Sequence, residues 1–571
     1  MAQINRRTFI RVGALTALAA CAPGAEDTTT TGAGAAATTT AAGASTTAAA
    51  AGTDVTRVIF AVAPPEAESN RTRELRSPAE FQIKPMYENL IGADPQTGAW
   101  IPMLAESWEV EGDGQSIRFF LKEGVQFHND LGEFTAEDVL YTWQDLIDPP
   151  DAIVSEADLA REYIVDIEVA GPHEVVFHLT AVNWDFMELL GQGAGAFGIK
   201  SKADFDARGG VLPGLDEAPL AGTGPYQYVS RAPAENVVFE KVPYDHWRIN
   251  PEFEELEFRI ITEGSARLAA LLANEVHIAD VPAELLERAV EGGMSIIKSA
   301  TPGRRVAINY LGAYLADPAN TDAFLYPDSP MTDIRFRRAL SKSIDTDTLN
   351  EAFFGGQGEP IYSWFWIPEL PGWNPEWEAR FQEEYGYDPD VSLALLEELR
   401  AEGTFGTDFT VEMLATEGRG GPETADVIEA VAGMFTDVGV NAPISTIDIT
   451  EHRDKQRSLG FSCAVEMDDS SSENITGARP KIYALHTSRG SAVESPAIIP
   501  LWETVRDTLD PEEQTAAWRI LGDAVYDLHP HKPLVRLAQS LAVNPAVVAG
   551  YTFPGAMLSV PYSHYEYIEK A

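Results

Sequence analysis

The sequence predicts an α/β protein built as more than one lobe, and three observations carry that expectation. At 571 residues the chain exceeds what a single hydrophobic core holds. Its 45% hydrophobic and 9% aromatic content suits a packed interior surrounded by water. From Thr56 onward, short apolar runs of period two alternate with longer runs of helical period, the pattern of mixed α/β layers rather than of a sandwich or bundle. Past the N-terminus no stretch reaches the length of uncharged apolar residues that a membrane-spanning helix needs, so a soluble body is expected.

The first residues stand apart from that body. Arg6-Arg7 followed by Thr8-Phe9-Ile10 makes a charged leader of the twin-arginine kind, and residues 12–20 are an apolar run too short to anchor a protein permanently. Leu18-Ala19-Ala20-Cys21 resembles the lipobox of bacterial lipoproteins, which implies cleavage before Cys21 and a lipid on its sulfur. Two or more acyl chains hold a protein on a membrane durably where one does not. Residues 22–53 carry no large aliphatic or aromatic side chain and cannot bury enough surface to offset the entropy of ordering. They read as a flexible tether with a mean reach of roughly 30 Å. The expectation is a signal peptide over 1–20, a lipidated Cys21 heading a tether to residue 53, and an extracytoplasmic body held at the cell membrane.

Within the body, "TRVIFAVA" has the β-branched content of a strand and ends at Pro64-Pro65. Ile117, Phe119 and Leu121 alternate with other residues, as do Val125 and Phe127 beyond Gly124, which predicts a hairpin. Thr135 and Asp138 predict a capping box for a helix that presents Val139, Leu140 and Trp143. "EVVFHL", "VAINYL" and "FTVEML" read as strands, and "SARLAALLANE", "DIRFRRALSKSI" and "TADVIEAVAGMFTDVGV" as helices. Asp388, Pro389 and Gly403 give one further helix a cap, a first-turn proline and a stop.

Charge and cysteine content exclude several function classes. The formal charge is −47, and −50 without Arg6, Arg7 and Arg11, which argues against a nucleic-acid partner. A solvated acidic surface explains it, and adaptation to high salt is the rival explanation. Apart from Cys21 the chain has only Cys463, in "FSCAV", which reads as a small buried hydrophobe.

Several motifs resemble, in order and spacing, the family 5 extracytoplasmic solute-binding proteins of ABC importers. They are Tyr87-Glu88-Asn89-Leu90, Asp94-Pro95, Thr97-Gly98, "PMLAESWEV", "GVQFHN" and "FTAEDVLYTW". "GTGPYQY", "SARLAALLANEVHIADV", "DIRFRRALSKSIDTDTLNEAFFGGQGEP" and "LHPHKPLVRL" extend the likeness over roughly residues 55–570. The resemblance implies a two-lobe fold of the periplasmic-binding-protein type (type II, cluster C), with an extra α/β subdomain inserted in the first lobe. It implies a first lobe from 54–96, 223–303 and 545–571, the subdomain at 97–222, and a second lobe at 304–544. Function follows by the same resemblance: a monomeric receptor captures a peptide-like solute between the lobes and passes it to ABC permease subunits. A sensor, or a receptor for an oligosaccharide or metal complex, would share the fold.

Peptide-binding members pair the ligand's amino group with a second-lobe aspartate, and the resemblance puts Asp468 or Asp469 near that place; the family's tryptophan and Asp-Pro are absent from "FSCAVEMDDSSSENI". Tyr362, Trp364 and Trp366 lie in the aromatic "IYSWFWIP", which reads equally as core or as a cleft loop. Arg71, in the arginine-rich stretch 71–76, could fork a carboxylate. No cofactor and no metal is expected. Residues 193–198 spell GxGxxG without a strand before or a helix after, and His529-Pro530-His531 has a proline between its histidines in an acid-poor neighbourhood. HExxH, GxSxG and Walker-type strings are missing, and no nucleophile, base and orienting group are set out together, so no enzyme is expected.

Overall fold

A computed structural model of the chain describes residues 55–571 apart from 66–67, 72–78, 97–99, 112–113, 148–159, 162, 181–186, 188–189, 192–196, 301, 318–322, 369–371, 407, 418–420, 422, 471–492, 509 and 555–561. The expected signal peptide, Cys21 and the tether lie outside the described residues, as does most of the GxGxxG string. Among the described residues no helix is long and apolar enough to cross a membrane.

The first lobe is built on a seven-stranded sheet. Its order runs Ser295–Lys298, Ser540–Val543, Ile278–Asp280, Arg57–Val62, Glu255–Ile260, Asn236–Lys241 and Tyr226–Ala232. Arg57–Val62 pairs parallel with both Glu255–Ile260 and Ile278–Asp280, and the outer pairings are antiparallel. Period two sorts its side chains: Val58, Phe60 and Val62 enter one core and Ala61 the other, against Leu268 and Leu271 of the helix Gly264–Leu272. The chain re-enters this sheet at Ser540, five residues ahead of the expected edge at 545. The reason is the same alternation, with Leu541 and Val543 in one core and Ala542 in the other.

The second lobe holds a six-stranded sheet ordered Glu359–Pro360, His531–Leu537, Arg304–Leu311, Ala464–Ser470, Glu412–Glu417 and Ile444–Asp448. Arg304–Leu311, which contains the predicted "VAINYL", is buried along nearly its whole length because both faces are covered. Val306, Ile308 and Tyr310 meet the helices Ile334–Ser343 and Thr424–Asp437 on one side, and Ala307 meets a tryptophan-rich cluster on the other. Capping follows the expected chemistry. Asp388 accepts from the Val391 amide at 3.1 Å, and Gly403 closes the helix Pro389–Glu402 at φ +81°, a left-handed conformation that glycine tolerates.

The inserted subdomain is a four-stranded antiparallel sheet ordered Ala105–Glu111, Ser116–Leu121, Glu174–Leu179, Ile164–Gly171, covered by the helix Ala136–Ile147. Trp143 of that helix stacks on Phe197 with ring centres 4.4 Å apart. The capping box forms on its acidic half, with the Thr135 amide donating to Asp138 at 2.7 Å. The hairpin expected across Gly124 is corrected: Ser116–Leu121 pairs with Ala105–Glu111 and Glu174–Leu179. Gly124, at φ +77°, turns the chain out of the sheet, and the Phe127 amide donates to Gly132 within a short loop. Val125 and Phe127 still alternate into the core, which is the signal that mimicked a strand.

Candidate functional site: the cleft between the lobes

Among the described residues two segments cross between the large sheets, one with residues 299–300 and 302–303 and one at 538–539. They bind each other, Ser299 N–H to the Gln539 carbonyl at 2.8 Å and Gln539 N–H to the Ser299 hydroxyl at 3.0 Å. The three mutually parallel first-lobe strands, ending at Val62, Ile260 and Asp280, present their carboxyl ends to this crossing. Open α/β sheets hold ligands at such ends. There lies a cleft of about 810 Å³, reaching from Ala63, Arg267, Asp280 and Tyr562 on the first lobe to Arg304 and Glu423 on the second. That volume suits a small organic solute.

Local structure builds each wall. On the first lobe the buried Arg267, one turn into its helix, donates to the carbonyls of Asp280, Ile261 (2.7 Å) and Thr262 (2.9 Å). One guanidinium thus gathers two strand ends and satisfies carbonyls that would otherwise lack donors. Asp280 accepts from the Tyr562 hydroxyl at 2.8 Å. Burial raises the Asp280 carboxyl above its usual range, against the opposing pull of Arg267, Tyr562 and Arg304.

On the second lobe Arg304, the first residue after the crossing, forks onto Asp469 through Nε (2.9 Å) and Nη2 (2.6 Å) and also pairs with Glu423. Burial alone would lower this guanidinium, but the two carboxylates outweigh it and raise it. One cation against two anions leaves the rim with a net negative charge.

The residues singled out from sequence fall in separate places. Asp469 reaches the rim through Arg304. Asp468, one residue earlier and 5% exposed, points to the opposite face and accepts from Asn309 Nδ2 at 3.1 Å. Period two in Ala464–Ser470 separates the neighbours, so the pair does not act as one site. Trp364 and Trp366 are buried in the second-lobe core, Trp366 against Trp377 and Trp518, and the half-buried Tyr362 donates to Glu378 at 3.1 Å. Arg71 is half-buried, its amide donating to the Ser69 hydroxyl at 3.0 Å. Residues 72–76 and Cys21 lie outside the described residues.

Arg267, Asp280, Lys298, Arg304 and Tyr562 were not anticipated. Asp280 had a signal, since it ends a strand in "HIADV"; Tyr562 lies 282 residues from it and had none. His529 and His531 are both buried, and burial pushes them down to about 4 and about 3. Among the described residues no group of three or more His, Cys, Asp or Glu could hold a metal ion. Cys463 is a buried free thiol, pushed up to about 12 by burial.

Known proteins bear on this geometry. The chain is 25% identical over 382 residues to the dipeptide-binding protein of Escherichia coli, covering 64% of this chain and 67% of that protein. It is 24% identical over 372 residues to heme-binding protein A of Haemophilus influenzae, covering 62% and 63%. The chain thus spans about two thirds of these relatives' length. Solved structures share the fold. The periplasmic binding protein DppA from Helicobacter pylori, in complex with the peptide STSA, superposes with a TM-score of 0.69 at 20% identity over 90% of this chain and 98% of that one. NikA from Brucella suis, in complex with Fe(III)-EDTA, gives 0.71 at 19% identity over 90% and 100%. Residues 99–470 match the family described as "Bacterial extracellular solute-binding proteins, family 5 Middle". That match covers well over half of the chain, which therefore belongs to the family 5 bacterial extracellular solute-binding proteins.

Proposed function

We propose that this chain is a receptor that captures a short peptide-like solute in the interlobe cleft and hands it to the membrane subunits of an ABC importer, without chemistry of its own. The cleft carries the reading: about 810 Å³ between two lobes, with charged groups of both lobes on its walls. Solute touching both walls stabilises the closed arrangement, and the permease reads that arrangement. The net negative rim of Arg304, Asp469 and Glu423, with Asp280 opposite, favours an ammonium group, and Asp468 adds negative charge from behind the sheet. Relatives named for dipeptides support the peptide reading. Neighbours holding Fe(III)-EDTA or Ni(L-His), and a heme-binding relative, favour a non-peptide solute as the second reading.

The same proposal places the protein outside the cytoplasm as a monomer, exported through its paired arginines and held by lipid on Cys21. Labelling with radioactive palmitate should mark the wild type and not Cys21→Ser. Native mass spectrometry of the purified protein should reveal a retained peptide, and thermal shift should respond to peptides. A response to metal chelates or heme with none to peptides would overturn the peptide reading and leave the receptor reading standing.

A further inference from the structure

The cleft has three cationic lining residues among the described ones, and their partners differ in kind. Arg304 is spent on two carboxylates and Arg267 on three carbonyls. Lys298 alone meets a neutral side chain: Nζ donates to Gln357 Oε1 at 3.0 Å. In a chain with 88 acidic and 41 basic residues, a cleft lysine that donates to an amide oxygen is conspicuous. An ammonium has three donors, so Lys298 has capacity beyond that one bond, and the Gln357 amide nitrogen offers a donor on the same side chain.

Position makes the pair more informative. Lys298 ends the first-lobe strand Ser295–Lys298, beside the crossing at Ser299. Gln357 lies on the second lobe, in the turn after the helix Thr346–Phe353, fixed by its amide donating to the Phe354 carbonyl at 3.0 Å. The contact therefore already spans the lobes. Of the lining carboxylates, the two on the second lobe are engaged, Glu359 by Arg536 and Glu423 by Arg304. The second-lobe wall is thus negative at Arg304–Asp469–Glu423, and Lys298 brings a cation to the cleft from the first lobe.

We propose that Lys298 and Gln357 form an anion clasp that takes the carboxylate of the bound solute, Lys298 Nζ from the first lobe and Gln357 Nε2 from the second. A carboxylate held by both replaces the direct Lys298–Gln357 bond with two donors, one on each lobe, and so favours closure. This rests on the receptor reading above and adds to it a chemical class: a solute with a free carboxylate opposite its ammonium group.

The test uses the full-length protein and a library of di- to tetrapeptides with free C-termini, set against the same library with C-terminal amides. Wild type should give thermal shifts with the acids, and the amides should bind about tenfold to a hundredfold more weakly, the range for a lost charge-assisted hydrogen bond. Lys298→Gln should lose that preference, binding acids and amides alike, and Lys298→Arg should restore part of it. Because Lys298 is exposed, both variants should melt with the wild type when unliganded. Equal binding of acids and amides by wild type overturns the clasp and leaves the receptor standing, as does a preference that survives in Lys298→Gln. No shift with either library overturns the clasp and the peptide reading together.

Discussion

Two arginines in this molecule are each gripped by two carboxylates, one in either lobe. Arg248 donates to Glu88 at 2.8 Å and to Glu566 at 2.7 Å, joining the segment before the inserted subdomain to the C-terminal tail. Arg304 does the same with Asp469 and Glu423 at the cleft. Each cluster sets one cation against two carboxylates, but the surroundings differ: the side chains of Glu88 and Glu566 are 2% and 6% exposed, those of Asp469 and Glu423 10% and 13%, and Arg304 and Glu423 line the cleft. Burial pushes the Glu88 carboxyl up to about 7, with Glu566 adding repulsion and Arg248 opposing both. Burial pushes Glu566 up as well, but Arg248 and His564 outweigh it and hold that carboxyl below its usual range. Deep in the first lobe the surplus charge is thus readily removed by a proton. At the cleft rim the carboxylates are more exposed, and there they can act on a solute.

The strongest way to break this comparison is to remove each arginine. Arg248→Ala leaves two buried carboxylates facing each other without a cation and should cost about 3–5 kcal/mol. Urea midpoints would measure it, and Arg248→Met combined with Glu88→Gln should recover part of the loss. A cost under about 1 kcal/mol would mean that the cluster is far wetter than its burial indicates. Arg304→Ala should cost less, about 1–3 kcal/mol, because water can reach the carboxylates it leaves. Its larger signature should be on solute binding, which Arg248→Ala should alter only through stability; equal effects of both on affinity would sink the distinction.

The legibility of these features from sequence follows the range of the interactions. The Asp388–Pro389–Gly403 helix was readable because every partner lies within its own ends. The central strand Arg304–Leu311 was readable because burial on both faces leaves a continuous apolar run. Val125 and Phe127 misled, since alternation reports burial and a loop beyond a left-handed glycine can also bury alternate residues. The cleft was hardly readable. Arg304 finds Asp469 at a separation of 165 residues, and Arg248 finds Glu566 at 318. No local pattern marks such partners. A single sequence shows that an arginine precedes a strand, but not which carboxylates the topology will bring to it.

The finest test concerns protonation. The folded Glu88 carboxyl sits near 7, above its ordinary 4.5, so the folded protein binds that proton more tightly than the unfolded chain. Its contribution to stability is full below about 4.5 and is lost as pH rises through about 7. The groups around it do not supply a compensating charge. His246, 4.0 Å away, is pushed down to about 4 by burial and stays neutral through the window; Thr223 and Tyr244 are uncharged; Arg248 stays cationic. Glu88→Gln imitates the protonated form. It should therefore match the wild type in urea midpoint at about pH 4.5 and lack the decline that the wild type shows toward about pH 8. Parallel profiles for wild type and Glu88→Gln would show that Glu88 stays ionised and that burial does not distinguish the two clusters.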